Sequence, residues 1–535
     1  MSLVFRLAAP LLVPLLAPVA TAQLGAERQV LAAPGAPPAT AFGSKLAHDA
    51  DVAVIGAPDD ADLGFRAGAA YVYGRDPLLG WTLARKLTAT DGAAEDLFGY
   101  ALAVDGATVL VGAFTKNGAT PGEGAVYVFA RDQGGPDAWG QRAKLVSPAP
   151  GERDYFGYSL AVDGDTLAIG SPRQDAPGSV YLYARDALAP SGWTLTHELQ
   201  SADPATGFSF GYALAFEGDT LVVTGSRTAG FSTSYALHVR ERDAGGPDQW
   251  GETQRIERPR GNENDFFGFR IALSGGTLAV PSWEYVLDRE RFGVVYLYER
   301  GASGFEHVAL ANTGLVQMPP QALDVEGDWL AVGTIYEPSG PLHDVGAVVL
   351  FHRDAGGGGQ WGEVAALQPA QPRDDAYFGF AVDLAGERLL AGAPDDFYEP
   401  GAGPGTAHEL DLGRVARATW RNDTQGRNPD VLASVTRPRL GTTWRAQVEL
   451  PLAGRDQALL LGFLRPGERP LARASVQLGR ELIGILAESS PGAFELALPP
   501  QPGLIGLRLV AQAALTGGGP GYTLTNALDL VLAVE

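Results

Sequence analysis

The chain has no cysteine in its 535 residues, which excludes a disulfide framework, a thiolate nucleophile and any Cys-based metal spacing. Basic charge is also scarce: 40 Lys and Arg residues face 62 Asp and Glu, for a formal net charge of −22. That balance argues against nucleic acid or an anionic membrane as the main partner, and favours solubility. Lysine is rarest of all, represented by Lys45, Lys86, Lys116 and Lys144, and composition attaches no function to the shortage. The seven histidines are scattered, and neither HExxH nor GxxxxGK occurs. Past the first 22 residues, no apolar run is long enough to span a bilayer.

Residues 1–22 read as a secretory signal. Arg6 supplies the positive start, Leu7 to Val19 the short apolar stretch, and Ala20-Thr21-Ala22 a small-x-small cleavage site. Pro10, Pro14 and Pro18 interrupt the apolar stretch, against a membrane anchor. The mature chain is therefore expected to be secreted or at the cell surface, without a transmembrane segment.

What the chain does have is repetition. Phe156 to Tyr183, FGYSLAVDGDTLAIGSPRQDAPGSVYLY, shows period-2 alternation broken by an Asp-Gly turn and a loop, the mark of short antiparallel strands. Phe42-Gly43, Phe98-Gly99, Phe156-Gly157, Phe210-Gly211, Phe267-Gly268 and Phe378-Gly379 open the same pattern at intervals of 56, 58, 54, 57 and 111. The last interval holds two units. The missing start falls at Pro319-Pro320, because ALDVEG at 322–327 aligns with ALAVDG at 101–106. Seven units averaging 56 residues result.

Each unit supplies four strands, A to D, with Trp81, Trp139, Trp193, Trp250 and Trp361 opening strand D and Phe305 standing in once. The seventh unit ends at its C strand (405–413), while the chain begins with a spare D strand within 27–33. One end supplies what the other lacks. This predicts a closed ring: an all-β, seven-bladed β-propeller whose N-terminal strand completes the last blade. After about Arg414 the period is lost, and short alternating runs between Gly- and Pro-rich turns predict a C-terminal β-sandwich over 415–535.

Fourteen residues after the start of five units comes Gly-Ala-Pro or a variant: Gly56-Ala57-Pro58, Gly112-Ala113-Phe114, Gly170-Ser171-Pro172, Gly333-Thr334-Ile335 and Gly392-Ala393-Pro394; unit four shifts by one (Thr224-Gly225-Ser226) and unit five reads Pro281-Ser282-Trp283. Over about residues 27–413 this resembles the FG-GAP repeat of integrin α-chain propellers and related exported bacterial proteins. The resemblance implies a propeller whose B–C and D–A loops share one face, the face associated with ligands. The end of the chain looks like a small C-terminal module of secreted bacterial proteins, with no activity attached to it. Calcium-binding repeats of the integrin type carry a long Asp-rich A–B loop. Here that connection is a tight turn (DGAT, DGDT, EGDT, GGT, EGDW), so those calcium ligands are absent from that place.

The chemistry-bearing residues are few. Gly207-Phe208-Ser209-Phe210-Gly211 has the spacing of a nucleophile elbow but sits on a D–A connection with no following helix. His238 and His352 fall in or beside strand C and read as satisfied sheet residues. Asp96, Asp154, Asp265 and Asp375, just before Phe-Gly, read as turn-bonding groups. In the B–C loops, Asp59, Asp60, Asp62, Asp395 and Asp396 are the candidate cation ligands, with calcium the ion in question, against the alternative of solvated acidic loops. The same loops present aromatics beside acids: Phe114, Trp283, Tyr285, Tyr336, Phe397 and Tyr398 are the candidate ligand-binding residues. Such rings suit a glycan or a basic protein segment, or else pack down to hold long loops.

Uniform strands with variable loops point to a rigid, monomeric, non-catalytic scaffold for adhesion or binding of an extracellular protein or glycan. The alternatives are a hydrolase or lyase acting on extracellular polysaccharide, and a structural cell-surface component. A catalytic site is expected to break repeat symmetry with unlike titratable groups, whereas units five and six depart mainly by apolar and Pro substitutions.

Overall fold

A computed structural model describes residues 27–412 apart from 174–176, 202–208, 230–231, 259–265, 286–290, 317–319, 340, 354, 356–360 and 396–402, together with eight strands between 432 and 531. Glu27–Val415 forms one compact unit, and the eight strands between 432 and 531 belong to a second. In the first, 28 strands build seven four-stranded antiparallel sheets.

Blade 1 sets the pattern: strand A is Lys45–His48, B is Val52–Ala57, C is Ala69–Asp76 and D is Gly80–Leu87. Blades 2 to 6 repeat the order, with A strands beginning at Ala101, Ser159, Leu214, Ala272 and Ala322. Blade 7 takes A, B and C from Ala381–Ala385, Arg388–Ala393 and Thr406–Asp411, and its outer strand from Glu27–Leu31. Leu31 pairs with Ala407 and Val30 with His408, so the ring closes as the spare strand requires. The A strands of neighbouring blades touch at all seven interfaces, which places them around the central axis.

Of the second unit, the described strands form two four-stranded antiparallel sheets. One contains Leu432–Ser434, Thr443–Val448, Ala493–Ala497 and Glu488–Ser490. The other contains Leu482–Leu486, Gln457–Leu464, Arg508–Thr516 and Thr523–Val531. The sandwich packing expected for 415–535 and the signal expected at 1–22 lie outside the described residues.

The core is a series of slabs between blades. Phe42, Phe98, Phe156, Phe210, Phe267 and Phe378 are fully buried, each stabilising its interface by about 1.5–3 kcal/mol. Five of them meet a strand-C ring edge-on at 5.2–5.8 Å: Phe42 on Tyr71, Phe98 on Tyr127, Phe210 on His238, Phe267 on Tyr296 and Phe378 on His408.

The glycine after each Phe has φ between +74° and +96°, where a side chain is strained. Its partner in Gly-Ala-Pro is needed for a different reason. A Cβ on Gly56 would fall on the Gly99 carbonyl oxygen, and one on Gly112 on that of Gly157. Two backbones meet there with no room for a methyl group.

Polar groups link the blades on the opposite face. The acid ending a strand A accepts the turn N–H of the next blade: Asp49 from Gly106 (2.9 Å), Asp163 from Gly218 (2.6 Å), Glu217 from Gly275 (2.6 Å) and Glu326 from Gly386 (2.6 Å). In six blades an arginine at the end of strand C lies over the ring opening strand D, at 4.5–6.0 Å: Arg75, Arg131, Arg185, Arg242, Arg300 and Arg353. Several reach back to the preceding blade, as Arg242 does to Thr166 (3.1 Å) and Arg353 to Thr277 (2.7 Å). A planar guanidinium both stacks and donates in a fork, which lysine does not do.

Candidate binding face and central channel

The B–C and D–A loops share the Phe-Gly face and are bonded to one another: Phe98 N–H donates to the Ala67 carbonyl (3.0 Å) and Phe378 N–H to that of Val345 (2.8 Å). Of the loop aromatics, Phe114 lies against Tyr100, Tyr155 and Tyr158 at 4.4–5.4 Å. Trp283 is buried, with Phe266 over it at 5.1 Å and 40% exposed. Tyr336 is 43% exposed and meets Tyr377 edge-on at 6.1 Å. The Tyr285 side chain, Phe397 and Tyr398 lie outside the described residues. The structure therefore joins Phe114 to a ring cluster in blades 2–4, apart from the blade 5–7 aromatics.

The candidate cation ligands have side-chain cations of their own. Asp59 accepts from Arg66 (2.7 Å), and Lys86 bridges Asp60 and Asp62 at 2.7 Å each. Asp60 also accepts from Tyr71, whose hydroxyl is pushed up to about 12 by burial and by that carboxylate. Arg373 holds Asp395 at 2.9 Å, where burial raises the carboxyl above its ordinary range. Asp396 lies outside the described residues. No cluster of three or more metal-ligating side chains occurs among the described residues. Before Phe-Gly, Asp96 and Asp154 bond their own turns, accepting from Ala93 (2.7 Å) and Gly151 (2.5 Å). Each also holds a cation from the B–C loop, Lys116 (2.7 Å) and Arg173 (2.5 Å).

The channel carries groups that a reading of motifs alone passes over. At the second residue after the Phe-Gly position, five units have Ala101, Ser159, Ala213, Ala322 and Ala381, but blade 1 has Lys45 and blade 5 has Arg270. Two residues further, Ala47, Ala103, Ala161, Ala215 and Ala272 are matched by Asp324 and Asp383 in blades 6 and 7. Lys45 Nζ lies 4.4 Å above the Tyr100 ring. The Tyr100 and Tyr158 hydroxyls are 3.2 Å apart, and the Tyr158 and Tyr212 rings 5.0 Å apart. Burial holds the Lys45 ammonium well below the usual lysine range, and Arg270 lowers it further.

In the lower layer Asp383 accepts from His48, through both its backbone N–H and Nδ1, at 2.5 Å. Asp324 accepts from Leu384 N–H at 2.7 Å. Burial first, then the Asp383 charge, raises the Asp324 carboxyl well above the ordinary carboxylate range. These symmetry-breaking groups are visible in the sequence once the seven A strands are aligned column by column. Each replaces a single alanine or serine, so the units that carry them otherwise keep the repeat pattern.

Fold and site together define a seven-bladed β-propeller with closely bonded loops on one face and a charged channel. Three stretches, residues 26–73, 81–129 and 139–183, match the FG-GAP repeat family. No curated protein matches the chain in sequence. Among solved structures the chain is similar to Sqt1 from Chaetomium thermophilum, at 16% identity, covering 69% of this chain and 87% of that one with a TM-score of 0.41. It is also similar to the β-propeller domain of the Trilobed protease from Pyrococcus furiosus (9% identity, 69% and 94% covered, TM-score 0.40). A third similarity is to the α-L-arabinofuranosidase PaAbf62A from Podospora anserina (14% identity, 58% and 88% covered, TM-score 0.28).

Proposed function

We propose that the propeller is an exported, non-catalytic binding scaffold that holds an extracellular glycan or protein segment on its loop face. The observation that carries this reading is a pair of exposed rings on braced supports. Phe266 rests on Trp283, and Tyr336 on Tyr377, in loops fixed by bonds such as Tyr377 N–H to the Asp344 carbonyl (3.0 Å). An exposed aromatic held rigid loses little entropy on binding. The test starts from a glycan and protein array probed with the mature chain, followed by Tyr336→Ala, Trp283→Ala and Tyr398→Ala, singly and together. Tyr336→Ala is expected to weaken the interaction about tenfold with an unchanged melting temperature, while Trp283→Ala lowers that temperature. Full binding by the Tyr336 variant and by the triple variant overturns the proposal.

One observation favours the second reading, a polysaccharide hydrolase or lyase: the adjacent, half-buried carboxyls Asp324 and Asp383 in the channel. Turnover of a polysaccharide that is lost in Asp383→Asn would establish it.

A further inference from the structure

We propose that the loop-side mouth of the central channel binds an oxyanion, a carboxylate or sulfate group, between Lys45 and Arg270, with the tyrosines of blades 2 to 4 as its wall. This goes beyond the scaffold reading and stands whether or not the exposed rings take a partner.

The argument starts from charge. In a chain with a net charge of −22, the other three lysines each hold a carboxylate: Lys86 with Asp60 and Asp62, Lys116 with Asp96, and Lys144 with Asp91, all at 2.7 Å. Lys45 and Arg270 pair with no carboxylate among the described residues, although acids are plentiful. The channel's own acids are engaged one layer down, Asp383 by His48 and Asp324 by backbone N–H groups. Two layers on one strand are separated by about 7 Å, so the lower carboxylates do not neutralise the upper cations.

Two like charges gathered in a confined channel destabilise the ligand-free protein. Five of the seven blades avoid that cost with alanine or serine at the same register position. Lys45 is lowered by burial and by Arg270, with no compensating carboxylate among its causes, which is the condition an incoming anion would reverse.

Geometry adds the rest. Lys45 lies two residues in from the Phe-Gly turn, on the loop side, and Lys45, Arg270, Tyr100, Tyr158 and Tyr212 all keep some contact with solvent. The Tyr100 hydroxyl donates to that of Tyr158 at 3.2 Å. Beside Lys45, the buried Ser44 hydroxyl has no hydrogen-bond partner. A compact ammonium, a planar guanidinium fork and hydroxyl donors together match an oxyanion.

The experiment measures melting of the mature chain with sodium sulfate, and separately with a galacturonate trisaccharide, each against sodium chloride at equal ionic strength. Lys45→Met and Arg270→Met are measured alongside. A saturable rise beyond the chloride control is expected for the native chain and is lost in both variants. Without anion, each variant should melt at or above the native temperature, because a repulsion has been removed; this separates loss of the site from loss of the fold. A trisaccharide bound at least about tenfold tighter than sulfate identifies an acidic glycan as the source, and equal affinity identifies a free ion. Absence of any rise over chloride, or an undiminished rise in the double variant, overturns the proposal.

Discussion

Gly112 and Gly74 lie in the same pair of blades and have opposite tolerances. A methyl group on Gly112 meets the Gly157 carbonyl of the next blade and the Ala101 Cβ, whereas one on Gly74 meets nothing within 4 Å. Gly112→Ala is expected to destabilise the propeller by about 1–3 kcal/mol, and Gly74→Ala to stay within about 0.5 kcal/mol of the native chain. Urea unfolding of the two variants checks this, and equal stabilities would remove the packing role given to the repeat's second glycine.

Asp324 tests the channel in the same way. Its folded carboxyl is raised by burial and Asp383, so below about pH 4 both folded and unfolded chains carry the proton and nothing is lost. As pH rises, the unfolded chain ionises first, and the native state loses stability until the raised value is passed. Asn carries no such charge, so the melting difference between Asp324→Asn and the native chain should shift towards the variant from pH 4 to 8. A flat difference would mean that the charged form is well compensated in the channel.

At the scale of the element, the closing strand Glu27–Leu31 is tied by more than its ladder. Arg28 pairs with Asp411, Gln29 exchanges two bonds with the Trp81 backbone (2.6 and 2.8 Å), and Glu27 bonds His408 at 3.0 Å. The His408 bond holds the Glu27 carboxyl below its usual range, so this contribution is present at neutral pH and lost as acid protonates it. Deleting residues 23–36 leaves the Thr406–Asp411 edge unpaired. The truncated chain should melt lower and sediment as concentration-dependent aggregates, and a chain behaving like the native one would require another way of closing the ring.

The strand order, the closure and the Phe-Gly packing were all legible, because alternation and turn residues act over a few neighbours. The D–A turn was not. The residue before each Phe-Gly (Ala41, Leu97, Tyr155, Ser209, Phe266 and Tyr377) has φ of 52–56°. No glycine marks these sites; bonds from the preceding blade, such as Leu97 N–H to the Arg66 carbonyl (3.1 Å), hold them there.

At the scale of the molecule, the acidity is distributed into bonds. Carboxylates clasp turns between blades on one face and hold Lys86, Lys116, Lys144, Arg173 and Arg373 on the other. Calcium is therefore not expected to be needed for folding: EDTA should move the melting temperature by less than a few degrees, as read by calorimetry with and without added calcium. A larger shift would direct attention to Asp59 and its neighbours.

Short-range pattern in the sequence determined the strands, the number of blades, the spare strand that closes them and the buried phenylalanines. Only the tertiary structure decided that Lys86 would neutralise Asp60, that Phe114 would join Tyr158, and that Lys45 would lie over the Tyr100 ring. Those encounters join separate loops and blades, and the Asp383–His48 contact spans 335 residues. The last of these exists only when the ring is closed, because partners so far apart in the chain are selected by the geometry of closure and by burial of charge, and local periodicity carries information about neither.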